Sequence, residues 1–129
     1  MDPISQMLIM IKNASNANKE MVVVPYSKMK EQILNCLLKH NYLTEVIKKS
    51  QEGFPVLEIK LKYDENKEPK VHDVKRISKP SRRMYFGQKD IKPVKQGTGL
   101  LVLSTPKGIL VGSEARREHV GGEVLFQIW

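Results

Sequence analysis

The sequence predicts an α+β protein of two small domains. The N-terminal domain is ordered α-β-α-β-β, and the C-terminal domain is mostly β with one short helix. Three observations predict this. Apolar residues recur at helical spacing twice near the N-terminus, as Ile4, Met7, Leu8 and Ile11, then as Met29, Ile33, Leu34, Leu37 and Leu38. Period-two alternation takes over at Val56–Tyr63 and returns in the closing stretch "GEVLFQIW", Gly122–Trp129. Between the halves the polar run Asp64–Lys70 fits neither period and reads as a linker, giving domains 1–64 and 71–129. With 129 residues, 40% of them hydrophobic, each half buries a modest core. Such halves are expected to lean on each other or on a partner.

Each element has a local cause. Asp2 suits an N-cap and Pro3 the first helical position, where its missing N–H costs nothing. Lys12, Asn13 and Asn16 close that helix on a polar note. Met21–Val24 reads as a strand stopped by Pro25. Ser27 caps a helix from Lys28 to about His40, with Asn41 as terminator. Leu43–Ile47 reads as a strand and "KKSQEGFP" as turn chemistry. In the next strand Leu57, Ile59, Leu61 and Tyr63 share one face, with Glu58, Lys60 and Lys62 on the other.

The second half opens with a strand over about Val71–Ser78, followed by the Gly- and Pro-rich loop "SKPSRRMYFGQKDIKPVKQGTG". Leu100–Leu103 is short enough for a buried strand, and Ile109–Val111 is its partner across a five-residue turn, Ser104–Gly108. Ser113 and Glu114 begin a short helix to about His119, stopped by Gly121 and Gly122. Val124, Phe126 and Ile128 share one face of the final strand.

Several function classes find no support. No apolar run approaches a membrane span. The N-terminal stretch carries an early acid and no cleavage-site pattern, which predicts no signal peptide. One cysteine, Cys36, excludes an internal disulfide, suits a reducing cytoplasm and reads as a small buried hydrophobe. His40, His72 and His119 have no neighbours at metal-ligand spacing, so neither metal nor cofactor is expected. There is no nucleophile elbow, Walker loop or dinucleotide fingerprint, and "GTG" at Gly97–Gly99 is too short for a phosphate cradle. No pair of acids suggests general acid–base work, so an enzyme is not expected.

Charge points elsewhere. The net charge is +8, and it is concentrated. Between Val74 and Lys95, Lys75, Arg76, Lys79, Arg82, Arg83, Lys89, Lys92 and Lys95 face the single acid Asp90. That density favours a polyanionic partner over a merely solvated surface. Within it, "KPSRRMYFG" sets Lys79, Arg82 and Arg83 beside Tyr85 and Phe86. Cations serve phosphates, and an aromatic ring stacks on an unpaired base or ribose. In an extended segment neighbours point to opposite faces, so one ring faces outward, and Tyr85 is the expected one.

The turn "LSTPKG" adds two adjacent hydroxyls, Ser104 and Thr105, with Lys107 two residues on. The stretches "KRISKPSRRMYFG", "GTGLLVLSTPKGILV" and "SEARREHVGGEVLFQIW" resemble the bacterial-type small-subunit ribosomal protein eight, as do "DPISQMLIMIKNA" and "VPYSKMKEQIL". The similarity spans nearly the whole chain. It implies two small domains, an α/β one with two helices on a three-stranded sheet and a mostly β one. It implies a primary RNA-binding protein of the small ribosomal subunit that binds the central domain of 16S rRNA early in assembly and helps build the platform. Ribosomal proteins five and twelve are the implied neighbours, and some members repress translation of their own operon messenger. The implied protein is a monomer off the ribosome, and the ribosome is cytoplasmic or organellar.

The resemblance carries the recognition of a distorted minor groove to Ser104 and Thr105, with Lys107 toward phosphate and Gly108 permitting close approach. Gly122 is expected to let RNA come near, and Glu123 to accept from an amino group or hold the turn. Lys12 and Asn13 match positions that face RNA, as well as being a polar helix end. The family usually reads Ser-Thr-Ser-Lys-Gly at the turn, whereas the third position here is Pro106. That removes a hydroxyl and an N–H and favours an extended Thr105. The expectation is a stiffer turn with one polar RNA contact fewer. A messenger-RNA regulator would use the same surface. A DNA reader should show a recognition helix dense in Arg, Asn or Gln, and the Lys28–His40 helix has no arginine.

Overall fold

The structure is a computed structural model that describes residues 2–91 and 99–129. Lys92, Lys95 and Gly97, singled out above, lie outside the described residues. The chain forms two compact units, Pro3–His72 and Asp73–Trp129, with Asp2 belonging to the second. No described helix is long and apolar enough to cross a membrane.

In the first unit, helix α1 (Pro3–Asn16) buries Met7, Leu8, Ile11 and Ala14. Strand β1 (Met21–Pro25) follows, then helix α2 (Lys28–Lys39). The Ser27 hydroxyl caps α2 by accepting from the Lys30 amide at 3.1 Å. Asn41 takes a left-handed φ of 65° just past the helix end. The buried stripe is Ile33, Leu34, Cys36 and Leu37. Met29, expected on that stripe, lies in the first turn of α2 and is 39% exposed.

Strands β2 (Leu43–Gln51) and β3 (Phe54–Leu61) complete an antiparallel sheet of order β1-β3-β2. Leu57, Ile59 and Leu61 face the core, as their alternation predicts. The expected turn over "KKSQEGFP" is corrected to two residues. Lys48, Lys49, Ser50 and Gln51 continue the ladder opposite Leu57, Val56, Pro55 and Phe54. A solvated edge strand pairs through its backbone and needs no apolar side chain there. Asp64–Lys70 is itself a turn: the Asp64 carboxylate accepts from the amides of Asn66 and Glu68, and Tyr63 bridges to Pro69.

The second unit is a five-stranded antiparallel sheet. Its elements are β4 (Val74–Arg76), β5 (Tyr85–Phe86), β6 (Leu100–Thr105), β7 (Gly108–Val111), helix α3 (Gly112–Arg117) and β8 (Gly122–Ile128). Strand β8 is central. One edge pairs with β6, and the other carries β4 along its C-terminal half and β5 along its N-terminal half. Ile91, Leu101, Leu103, Ala115 and Val124 form a core, with Ile77, Phe86, Val120 and Trp129 packed around it.

Three expectations change here. The strand over Val71–Ser78 shortens to Val74–Arg76, and the Ile77 and Ser78 amides donate to the Leu125 and Val124 carbonyls outside it. The five-residue turn shrinks to Pro106 and Lys107, because Ser104 and Thr105 pair with Ile109 and Gly108. The final strand does not keep Val124, Phe126 and Ile128 on one face: its register shifts at Leu125, so Val124 lies opposite Leu103 and Phe126 opposite Val102, on opposite faces, and Leu125 is buried as well.

Candidate nucleic-acid interface

Across the second sheet, one row of directly opposed residues runs from β5 to β7. Tyr85 faces Glu123, Glu123 faces Ser104, and Ser104 faces Ile109. Opposed residues in antiparallel strands project from the same face. An aromatic ring, a carboxylate and a hydroxyl therefore stand side by side. Tyr85 is 69% exposed, whereas its neighbour Phe86 turns into the core, as strand alternation predicts. Ser104 is half-buried, and its hydroxyl has no partner among the described residues.

Thr105 does not share that face. Neighbouring strand residues point oppositely, so the two hydroxyls read together in sequence are separated in space. The Thr105 hydroxyl closes its own turn: Oγ1 donates to the Gly108 carbonyl at 2.8 Å and accepts from the Lys107 amide at 3.1 Å. Gly108 sits at φ +108°, with open space where a Cβ would point, so the turn needs glycine for its backbone conformation. The Lys107 ammonium lies 3.3 Å from the Glu118 carboxylate, and both side chains are about half exposed. Such a pair contributes little to stability and yields easily to a phosphate.

Gly122 has an internal task. A Cβ there would stand 2.1 Å from the Ser104 carbonyl oxygen and 3.1 Å from the Thr105 Cα. At Gly121 it would stand 2.3 Å from the Phe86 oxygen. The space expected for an approaching RNA at Gly122 is filled by strand β6. The glycine pair lets β8 pass between β5 and β6.

The start of the basic loop closes on itself as a tight turn at Lys79–Arg82. Lys79 and Arg82 exchange backbone hydrogen bonds of 2.9 and 3.0 Å, with Pro80 and Ser81 at the tip. Both side chains are exposed. Arg83 reaches back to Glu123, with Nη1 donating to Oε2 at 3.0 Å, and the Ser78 hydroxyl donates to the same oxygen. Burial pushes the Glu123 carboxyl up, but the hydrogen bonds from Ser78 and Arg83, with the charges of Arg83 and Arg76, outweigh it. The group is held below the usual glutamate value. The Glu123 hydrogen bond raises the Arg83 guanidinium in turn. Glu123 thus holds the loop through Ser78 and Arg83 while it lies in the row. Arg76 is turned inward and donates to the Leu125 carbonyl.

Lys12 and Asn13 lie on α1 in the first unit; Lys12 is half-buried and Asn13 exposed. Sequence reasoning missed Ser78 altogether. A serine ahead of Lys-Pro in a basic loop looks like turn filler, and its link to Glu123 spans 45 residues.

The chain is similar, over residues 2–129, to the family model described as ribosomal protein S8. A small ribosomal subunit protein uS8 of Caldicellulosiruptor bescii is 45% identical to it, over 99% of this chain and 97% of that one. Its counterpart in Persephonella marina is 44% identical and that in Thermus thermophilus 41%, each over 99% of this chain and 98% of the relative.

Proposed function

Because the chain belongs to the ribosomal protein S8 family, and is a structural, non-enzymatic protein of the small ribosomal subunit, we propose that it is a primary rRNA-binding protein for the 16S central domain. In this reading it helps assemble the platform of the subunit as a monomer, next to ribosomal proteins five and twelve. The observation that carries the reading is the row Tyr85–Glu123–Ser104, flanked by the exposed cations Lys79, Arg82 and Lys107. A stacked A-form helix offers a wide, shallow minor groove with 2′-hydroxyls and base edges on view. The Tyr85 ring receives an unpaired base or ribose. Ser104 donates to or accepts from a 2′-hydroxyl or base edge. Glu123, already ionised, accepts from an exocyclic amino group. Lys79, Arg82 and Lys107 take phosphates and give the salt dependence expected of such contacts. Lys12 and Asn13 of the first unit add a second, smaller contact. The same surface serves a similar structure in the protein's own operon messenger.

The test is binding to a 16S central-domain fragment with excess tRNA as competitor at near-physiological salt. Preference for the fragment, with Tyr85→Ala and Ser104→Ala each lowering affinity by about tenfold, is expected. Equal, weak binding to both RNAs that the variants leave unchanged would reduce the charge to a nonspecific patch.

A further inference from the structure

We propose that Ser78 is the positioning residue of this face: its buried hydroxyl fixes the Glu123 carboxylate and the mouth of the basic loop in one geometry, so that Tyr85 and Glu123 meet RNA already in place. The proposal rests on the RNA-binding reading above. Ser78 is fully buried, although it is polar and sits at the foot of an exposed loop. Its hydroxyl accepts from the Met84 amide at 3.2 Å and gives its one hydrogen to Glu123 Oε2. An amide only donates and a carboxylate only accepts, so the linking group must do both, as a hydroxyl does.

The backbone repeats the pattern. The Ser78 amide donates to the Val124 carbonyl at 3.1 Å, and the Val124 amide donates to the Met84 carbonyl at 2.8 Å. Both ends of the loop are thereby fastened to one residue of β8, and the hydroxyl ties them to the residue beside it. Tyr85 follows Met84 directly, so the same fastening sets where its ring begins. Arg83 also holds Glu123, but from a side chain that is 54% exposed. A phosphate can draw Arg83 away. Ser78, enclosed, stays.

The experiment is a double-substitution cycle in the full chain with Ser78→Ala, Glu123→Gln and both together. Affinity for the 16S fragment is measured beside the NMR titration of the Glu123 carboxyl in the free protein. Ser78→Ala is expected to raise the Glu123 titration midpoint and to weaken RNA binding by about tenfold. In the Glu123→Gln background the same change is expected to weaken it by less than about twofold. A purely structural role would lower affinity equally in both backgrounds, and that result overturns the proposal, as does an unmoved midpoint. Should Ser78→Ala fail to fold, Ser78→Cys, similar in size and a poor donor, carries the same comparison. Wild-type protein that does not prefer the fragment over tRNA overturns the RNA-binding reading and the proposal with it. Wild-type preference with unimpaired Ser78→Ala overturns only the role of Ser78.

Discussion

The β2–β3 and β6–β7 hairpins each turn in two residues, by different chemistry. In the first, Glu52 and Gly53 take φ values of 51° and 83°, the positive pair of a type I′ turn, whose twist matches its strands. The backbone does the work, and the flanking side chains are left to solvent. In the second, Pro106 and Lys107 stay out of positive φ, and Gly108 takes it instead. That turn is closed by the Thr105 side chain, bonded at both ends of the loop. A hydroxyl that looks available in the sequence is thus committed, while its neighbour Ser104 stays open on the other face. Adjacent residues of like chemistry take unlike jobs because a strand separates them.

The largest break in this comparison is expected one strand away. Gly122→Ala would drive a methyl into the Ser104 carbonyl, with backbone atoms that cannot swing aside. It should destabilise the second unit by about 3 kcal/mol or more, read by denaturant unfolding. At the turn itself, Thr105→Val keeps the shape and loses both hydrogen bonds. It should cost about 1 kcal/mol of stability and leave the Tyr85–Ser104 face able to bind RNA. In the first hairpin, Glu52→Gly at positive φ should change stability by less than about 1 kcal/mol, with relief of strain opposed by added chain entropy. If Thr105→Val is as mild, the hydroxyl does not hold the turn.

The pH dependence is smaller and has a fixed sign. The folded protein holds Glu123 below its ordinary value, so its contribution to stability is present above the unfolded carboxylate range. It is lost as pH falls through the lower folded value. Thermal unfolding followed from neutral into acid pH should show a steeper decline in the wild type than in Glu123→Gln. Smallest of all, Lys107→Ala should move stability by less than about 0.5 kcal/mol, because its partner Glu118 is equally exposed.

The helices were legible because Met7, Leu8 and Ile11, and Ile33, Leu34 and Leu37, repeat at a spacing that only a helix buries on one side. Strand β3 was legible from Leu57, Ile59 and Leu61 for the same reason at period two. The ends of strands were not. Lys48–Gln51 and Ser104–Thr105 are polar, and polar strand ends look like turns until their partners are known. The outward Tyr85 was legible from parity alone. The Ser78–Glu123–Arg83 network was not, because it joins residues far apart in the chain through one hydroxyl and one carboxylate oxygen.

The glycine pair at 121–122 also acts as an index mark. There the chain entering β8 passes close enough that a Cβ at Gly121 would meet Phe86 and one at Gly122 would meet Ser104. Sliding the strand by one residue would bring Glu123, side chain and all, into the gap and turn every outward residue inward. The two missing side chains therefore set the phase of the sheet, and with it which three residues line up across β5, β8 and β6.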